Sequence, residues 1–409
     1  EEVEEDDPDD FTALGDKKET SSLRERKNAV KSVEGEQTEA KKKTAQEKVK
    51  DLTVRELRQA IPARLFKRSA WISMMHLAYD VCLALATAAA VIYAWQNLGG
   101  WWMAIIWPLY WWYQGLNGTA LWVLAHECGH GAFSDSKLLN DSVGFFIHSA
   151  LLTPYFSWAL THAKHHRRTN NMSEGETWVP AATRNPDKPK IKFLKSHLGT
   201  CIRVTIILTI GWYLYLFRND TGSIKNRGQS HFNPNSKGLF RPADRPWVLL
   251  SDVGMIITLI CLAAAVLKFG LLPVLLVYAI PQMITDMYLV SITFMQHTHM
   301  DLPHMDFPVW NWLNGALCTV DRSMGPWVDS KLHHIVDSHV VHHLFHEMPF
   351  YGAKEATPYI AKYLTDTFGE GVYNSKNSSY LEFWKDFYWA TKEALVVVRE
   401  PDAEIYHYK

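Results

Sequence analysis

Histidine is concentrated in three short stretches of this chain. Residues 126–130 read H-E-C-G-H, residues 162–166 read H-A-K-H-H, and residues 339–343 read H-V-V-H-H. On an α-helix, positions i, i+3 and i+4 share one face, so each stretch can aim two or three imidazoles at one point. Of the 19 histidines, these boxes hold His126, His130, His162, His165, His166, His339, His342 and His343. Taken alone, H-E-C-G-H fits the zinc-protease pattern H-E-x-x-H, with Glu127 as the base that activates water. A zinc protease needs one further ligand and keeps a water position, which leaves the other two boxes without a use. Two six-coordinate ions would accommodate eight imidazoles and still leave positions for oxygen or water. Imidazole suits iron, copper, nickel and zinc alike. Redox chemistry in a membrane favours a di-iron pair.

The elements that must carry these boxes are apolar. Runs at 71–95, 101–125, 247–267 and 271–295 each meet the ~20 residues a helix needs to cross a bilayer. Asp80, Asn117, Asp252 and Asp286 interrupt them, and polar groups at that depth face protein or a cavity. A shorter run, 200–217, contains Arg203. Arg55, Arg58, Arg64, Lys67 and Arg68 precede the first run and place the N-terminal side in the cytosol by the positive-inside rule. Four crossings, with 200–217 lying in the interface, leave every histidine box on the cytosolic side. The expected fold class is an all-α integral membrane protein. It has four transmembrane helices, interfacial helices and a cytosolic helical cap holding a histidine-rich di-iron site.

Residues 1–50 mix acidic and basic runs and are expected to form a disordered charged tail ahead of one domain at 51–409. The opening EEVEEDDPDD does not read as a secretory signal. The 17 tryptophans suit aromatic belts at a membrane interface. A formal charge of -1 points to no nucleic-acid partner, and the five scattered cysteines form no readable disulfide framework. His76 and His148 are expected in the core.

The boxes, taken with four apolar spans, resemble the membrane fatty acid desaturases. Longer stretches are similar to the microsomal delta-12 (oleate) class: AHECGHGAFSDSKLLNDSVG, FMQHTHMDLPH, LCTVDRSMG and DSHVVHHLFHEMPFYGA. The resemblance covers roughly Leu52 to the C-terminus. It implies two iron ions, O2 and two electrons, with two hydrogens removed from adjacent methylenes to leave a cis double bond and water. It implies an acyl substrate on phosphatidylcholine or coenzyme A. No H-P-G-G heme motif occurs, so a separate cytochrome b5 and NADH-cytochrome b5 reductase are the implied donors. It also implies an endoplasmic reticulum membrane, with the closing EIYHYK as a retention feature.

Stearoyl-type relatives add a ninth histidine near the end of the fourth span. Here QHTH makes His297 the first choice and His299 the second, with His304, His333 and His334 in reserve. The asparagine that holds a water in those relatives is replaced by Thr293. Carboxylates behind the ligands would balance charge and fix imidazole tautomers. Glu127, Asp135, Asp321 and Asp337 are the candidates, so Glu127 becomes a neighbour of the ligands and not a protease base. Lys164, Arg167 and Arg168 would face lipid phosphate or an acidic cytochrome, and simple positive-inside bias explains them equally well. Plant omega-3 relatives read H-x-G-H-x-x-K-L-P where this chain reads QHTHMDLPH, which favours delta-12 over delta-15. Hydroxylation, acetylenation or conjugation on the same centre, a non-catalytic binding protein and an intramembrane zinc metalloprotease are the alternatives.

Overall fold

The computed structural model describes residues 49–409; the expected tail at 1–50 lies almost wholly outside them. The chain divides into a large unit, Thr53–Leu364 with Tyr373–Lys409, and a small one, Glu1–Leu52 with Thr365–Val372. In the small unit the described residues form the 3-10 turn Val49–Asp51 and the last turn of the helix Phe350–Phe368. Everything below concerns the large unit.

The helices that position the site are α1 (Ala70–Asn97), α2 (Met103–His130), α3 (Lys137–Ala150), α4 (Tyr155–Arg167), α5 (His197–Arg218), α6 (Arg245–Phe269), α7 (Ile280–His297), α8 (His339–Leu344) and α9 (Tyr380–Glu393). α1 starts at Ser69, whose hydroxyl accepts the amide of Ile72, as a helix N-cap should. All four expected spans are helical: α1, α2, α6 with the turn before it, and α7 with the turns Leu271–Val274 and Leu275–Ala279. Among the described residues, the helices long and apolar enough to cross a membrane are Ala70–Asn97, His197–Arg218, Pro242–Phe269 and Leu271–His297. α5 is thus one of them by composition. α2 is not, because Gln114, Asn117, Thr119 and its two box histidines interrupt it, yet its 28 residues run ~42 Å.

α3 and α4 meet at a 108° bend. At 14 and 13 residues they reach only about 20 Å each, too short to span a ~30 Å hydrocarbon core. Tyr278 Oη donates to the carbonyl of Ala150 (2.7 Å) and Gln282 Nε2 to that of Leu151 (3.0 Å). The bend therefore sits about four turns below His297 along α7, and α4 climbs back with the second histidine box at its top. Ser251 of α6 accepts the amide of Phe156 at 2.9 Å, which braces the same bend.

α2 and α7 lie close. A Cβ on Gly115 would collide with the Ile284 side chain, and one on Gly118 with Thr285 Oγ1, so only glycine permits the approach. A small sheet, in the order β1 (Ala181–Ala182), β3 (Val396–Arg399), β4 (Ile405–Tyr408), β2 (His304–Met305), ties down the C-terminal residues. Val397 pairs with Tyr408, and His304 with Tyr406. EIYHYK is accordingly mostly a paired strand, with Tyr408 buried.

Candidate metal centre

The site forms where helix ends meet. His126 and His130 occupy the last two turns of α2, which stops at Gly131 in the left-handed region (φ 70), the residue such a stop favours. His162, His165 and His166 fill the last turns of α4, and His297 is the last residue of α7. The third box forms α8, and Asp321 Oδ1 accepts the amide of Val340 at its start (2.8 Å). Three helix C-termini, with their negative dipole ends, point at one region, which favours bound cations.

Among the described residues, the histidines sort into two groups whose ring nitrogens lie within 4.8 Å of one another. One is His126, His130, His162, His166 and His342; the other is His165, His297 and His343. His339 joins the second through Nε2, 3.0 Å from His297 Nε2. The other Nε2 pairs are His126–His130 at 3.2 Å, His126–His162 at 2.9 Å, His162–His166 at 3.1 Å and His165–His297 at 3.2 Å. Metal–nitrogen bonds of about 2.1 Å put neighbouring ligands about 3.0 Å apart in an octahedron and about 3.4 Å in a tetrahedron. These five pairs, at 2.9–3.2 Å, lie near the octahedral edge, and the remaining ring nitrogens of each group lie within 4.8 Å of one another. Nε2 of His342 and of His343 are buried without a hydrogen-bond partner, a cost that a bound ion would remove. The donor set therefore fits two metal ions.

Burial lowers His165 to about 3 and holds His162, His166, His339, His342 and His343 well below the usual histidine range. These rings are neutral at pH 7, the state in which imidazole binds metal.

The groups behind the ligands are only partly those expected. Glu127 Oε1 lies 3.3 Å from His126 Nδ1 and 4.0 Å from His342 Nδ1, fully buried between them. Asp321 holds the start of α8 and accepts the Tyr373 hydroxyl; burial raises it to about 6. Asp337 pairs with Lys354 and His334 and contacts no ligand ring. Asp135 is a correction: it is exposed and pairs with Arg68 at 3.1 Å, because the chain leaves the site after the Gly131 turn. His299 belongs to neither group and accepts the Asp301 amide. The reserves are also elsewhere, His304 on Tyr408, His333 on Asp80 and His334 on Asp337. His148 is in the core on the Trp122 carbonyl, and His76 packs against His333 and Phe350. Lys164 turns inward to Glu176 and the Gly238 carbonyl, Arg168 pairs with Glu174, and Arg167 is exposed.

Two contributors escaped the sequence reading. Thr169 donates to the His165 carbonyl (2.7 Å), so its oxygen accepts Nδ1–H of His343 (3.1 Å) and leaves Nε2 for the metal. Its signal was its place four residues after His165. Trp158 stacks on His162, ring centres 4.4 Å apart.

A narrow cleft of about 70 Å³ opens beside both groups. His126, His162, His165, His297 and His339 touch it, and Trp122, Trp178, Trp212, Leu289, Ile292 and Ile335 supply much of its apolar wall. Trp178 has φ 55, a conformation that costs a bulky residue of order 1–3 kcal/mol. Buried imidazoles that fit two redox-capable ions, next to an apolar slot, suit oxidation of a hydrocarbon chain.

Comparison with known proteins agrees. The family model for fatty acid desaturase matches residues 101–368. The chain is 38% identical over 354 residues to a Delta(12) fatty acid desaturase of Mortierella isabellina, covering 82% of this chain and 87% of the relative. It is 39% identical over 357 residues to the Omega-6 fatty acid desaturase, endoplasmic reticulum isozyme 1, of Glycine max, covering 86% and 87%. It is 38% identical over 348 residues to the Acyl-lipid (9+3)-(E)-desaturase of Dimorphotheca sinuata, covering 85% and 88%. With its spans, its paired histidine groups and these relatives, the chain belongs to the fatty acid desaturase family and is a multi-pass membrane oxidoreductase.

Proposed function

We propose that this enzyme introduces a cis double bond at the delta-12 position of oleoyl chains carried on a membrane lipid, using two iron ions, O2 and electrons from a separate cytochrome b5 and its reductase. One observation carries the reading: two histidine groups, each suited to a metal ion, open onto one apolar cleft. His126, His130, His162, His166 and His342 hold one iron, and His165, His297, His339 and His343 the other. When bound, the irons supply the O2 reduction and hydrogen removal that no side chain can perform on an unactivated methylene. The protein supplies the rest. Thr169 sets the tautomer of His343, and Glu127 offsets charge beside His126 and His342. The apolar wall excludes water and holds a chain with no polar handle at its middle. The delta-12 names of the Mortierella and other relatives support the position.

The membrane is that of the endoplasmic reticulum, with the N-terminal side and the boxes facing the cytosol. Supporting an interfacial α5, both its ends are held by polar partners, and the partner of its C-terminal end, Glu176, is also held by Lys164 of the second histidine box. His197 Nδ1 lies 2.7 Å from Tyr388 Oη, and Asn219 Nδ2 lies 3.1 Å from Glu176. α1, α2, α6 and α7 then make the four crossings.

The test is expression in a host that makes oleate and supplies a cytochrome b5 reductase system, with double bonds located in total lipids by mass spectrometry. The expected product is a diene with its new cis double bond at carbon 12. A bond at carbon 15 would assign the omega-3 activity instead, and an E bond would align the enzyme with its Dimorphotheca relative. Unchanged lipids with well-expressed, metal-loaded protein would refute the proposal. His342→Ala should abolish the product, whereas a two-histidine protease site would keep its activity.

A further inference from the structure

We infer that Trp178 is the positioning residue that selects which pair of carbons in the acyl chain meets the metal centre. The inference rests on the desaturase reading of the cleft. An oleoyl chain has no polar handle along its length and offers only shape to hold, so its register against the ligands must come from a rigid wall. Trp178 lies on that wall, in the cleft that His162, His165, His297 and His339 also touch. It packs against the two apolar clusters on either side, one around Tyr288 and Ile292 and the other around Trp122 and Trp212.

Its backbone is fixed from both directions. Among the described residues lining the cleft, Trp178 alone has a positive φ. Glu176, two residues earlier, is buried and held by Lys164, Asn219 (3.1 Å) and Asn226 (2.9 Å). Val179, the next residue, donates its amide to Thr221 (2.9 Å) and accepts Arg227 Nη2 at its carbonyl (2.8 Å). A bulky residue keeps a disfavoured conformation when its surroundings over-determine it, and such residues gather at functional sites.

The indole is tethered as well. Nε1–H donates to Thr293 Oγ1 at 3.0 Å, and the ring meets Phe294 edge-on at 4.9 Å. Thr293 stands one turn before His297 on the same face of α7. The wall that touches the chain is therefore fastened to the helix that carries a ligand, which fixes chain and metal in one frame. The clamp on Glu176 begins at Lys164, inside the second histidine box, so the other side of the frame is also a ligand helix.

The experiment expresses the full chain, Trp178→Ala, Trp178→Phe and Thr293→Val in a host rich in oleate. It reads the position of every new double bond and the metal content of each purified protein. The wild type should give one position. Trp178→Ala should cut the rate at that position by about 10²-fold, as a misplacement of ~1 Å does, and should place double bonds at neighbouring carbons. Trp178→Phe and Thr293→Val keep a ring on the wall but lose the tether; each should spread the position less, and to the same extent. If Trp178→Ala loses its metal, these two variants decide the matter. One unchanged position in every metal-loaded variant, at any yield, overturns the inference and leaves the desaturase reading standing. A metal-loaded wild type that forms no double bond removes both.

Discussion

His343 can offer Nε2 to a metal because Thr169 Oγ1 accepts a hydrogen bond from Nδ1–H, which keeps the proton on that nitrogen. Second partners of this kind set both ring orientation and basicity, and losing one costs roughly 10–100-fold in metal affinity. Thr169→Val keeps the shape and removes the acceptor. It should weaken metal binding in the second group by that factor and leave the first group close to wild type, as read by metal retention against a graded chelator. Thr169→Ser should restore it. The box histidines were legible because their spacing repeats, and His297 only through the resemblance to stearoyl-type relatives, which carry a ninth histidine near the end of the fourth span. Thr169 was not legible, since a hydroxyl near a helix end is common and only folding brings it to His343. Asp135 shows the reverse: five residues from His130, it points away to Arg68. Nearness in sequence stops predicting nearness in space at the first turn with a left-handed residue.

At the scale of elements, the pair α2 and α7 sets the distance between the first box and His297. Gly115 and Gly118 let the helices approach, and a larger residue would strike Ile284 or Thr285. Gly118→Val should destabilise the fold by about 1–3 kcal/mol through overpacking and should lower metal content along with thermal stability. A polar surface substitution on exposed Lys188 should change neither. The long apolar runs showed four helices from composition alone, and each is a helix here. The hairpin of α3 and α4 did not show, because each arm is short and amphipathic and neither resembles a span by itself. Its depth is set by Tyr278 and Gln282, far away in the chain. α5 shows how far composition goes: it is long and apolar enough to cross, and its polar ends are what argue for lying flat.

For the whole molecule, the centre is a buried block of neutral imidazoles. Burial lowers His165 to about 3 and carries the box-three histidines well below their usual value. Unfolded histidines take up protons near pH 6.5, so between about 6.5 and 3 the unfolded chain binds more protons than the folded one. Stability from these groups is present above pH 6.5 and falls as the pH drops through that window. Metal binding deepens the same trend, since protons compete for the ring nitrogens. Thermal stability and metal content should therefore decline together from pH 7 to pH 5, and a flat profile would mean that the rings are not buried as described. The most direct check on the central claim is the metal content of purified, full-length protein, measured by elemental analysis. The account predicts two irons per chain, with His343→Ala losing metal mainly from the second group. A single zinc per chain, unaffected by replacing His165, His297 or His343, would contradict it.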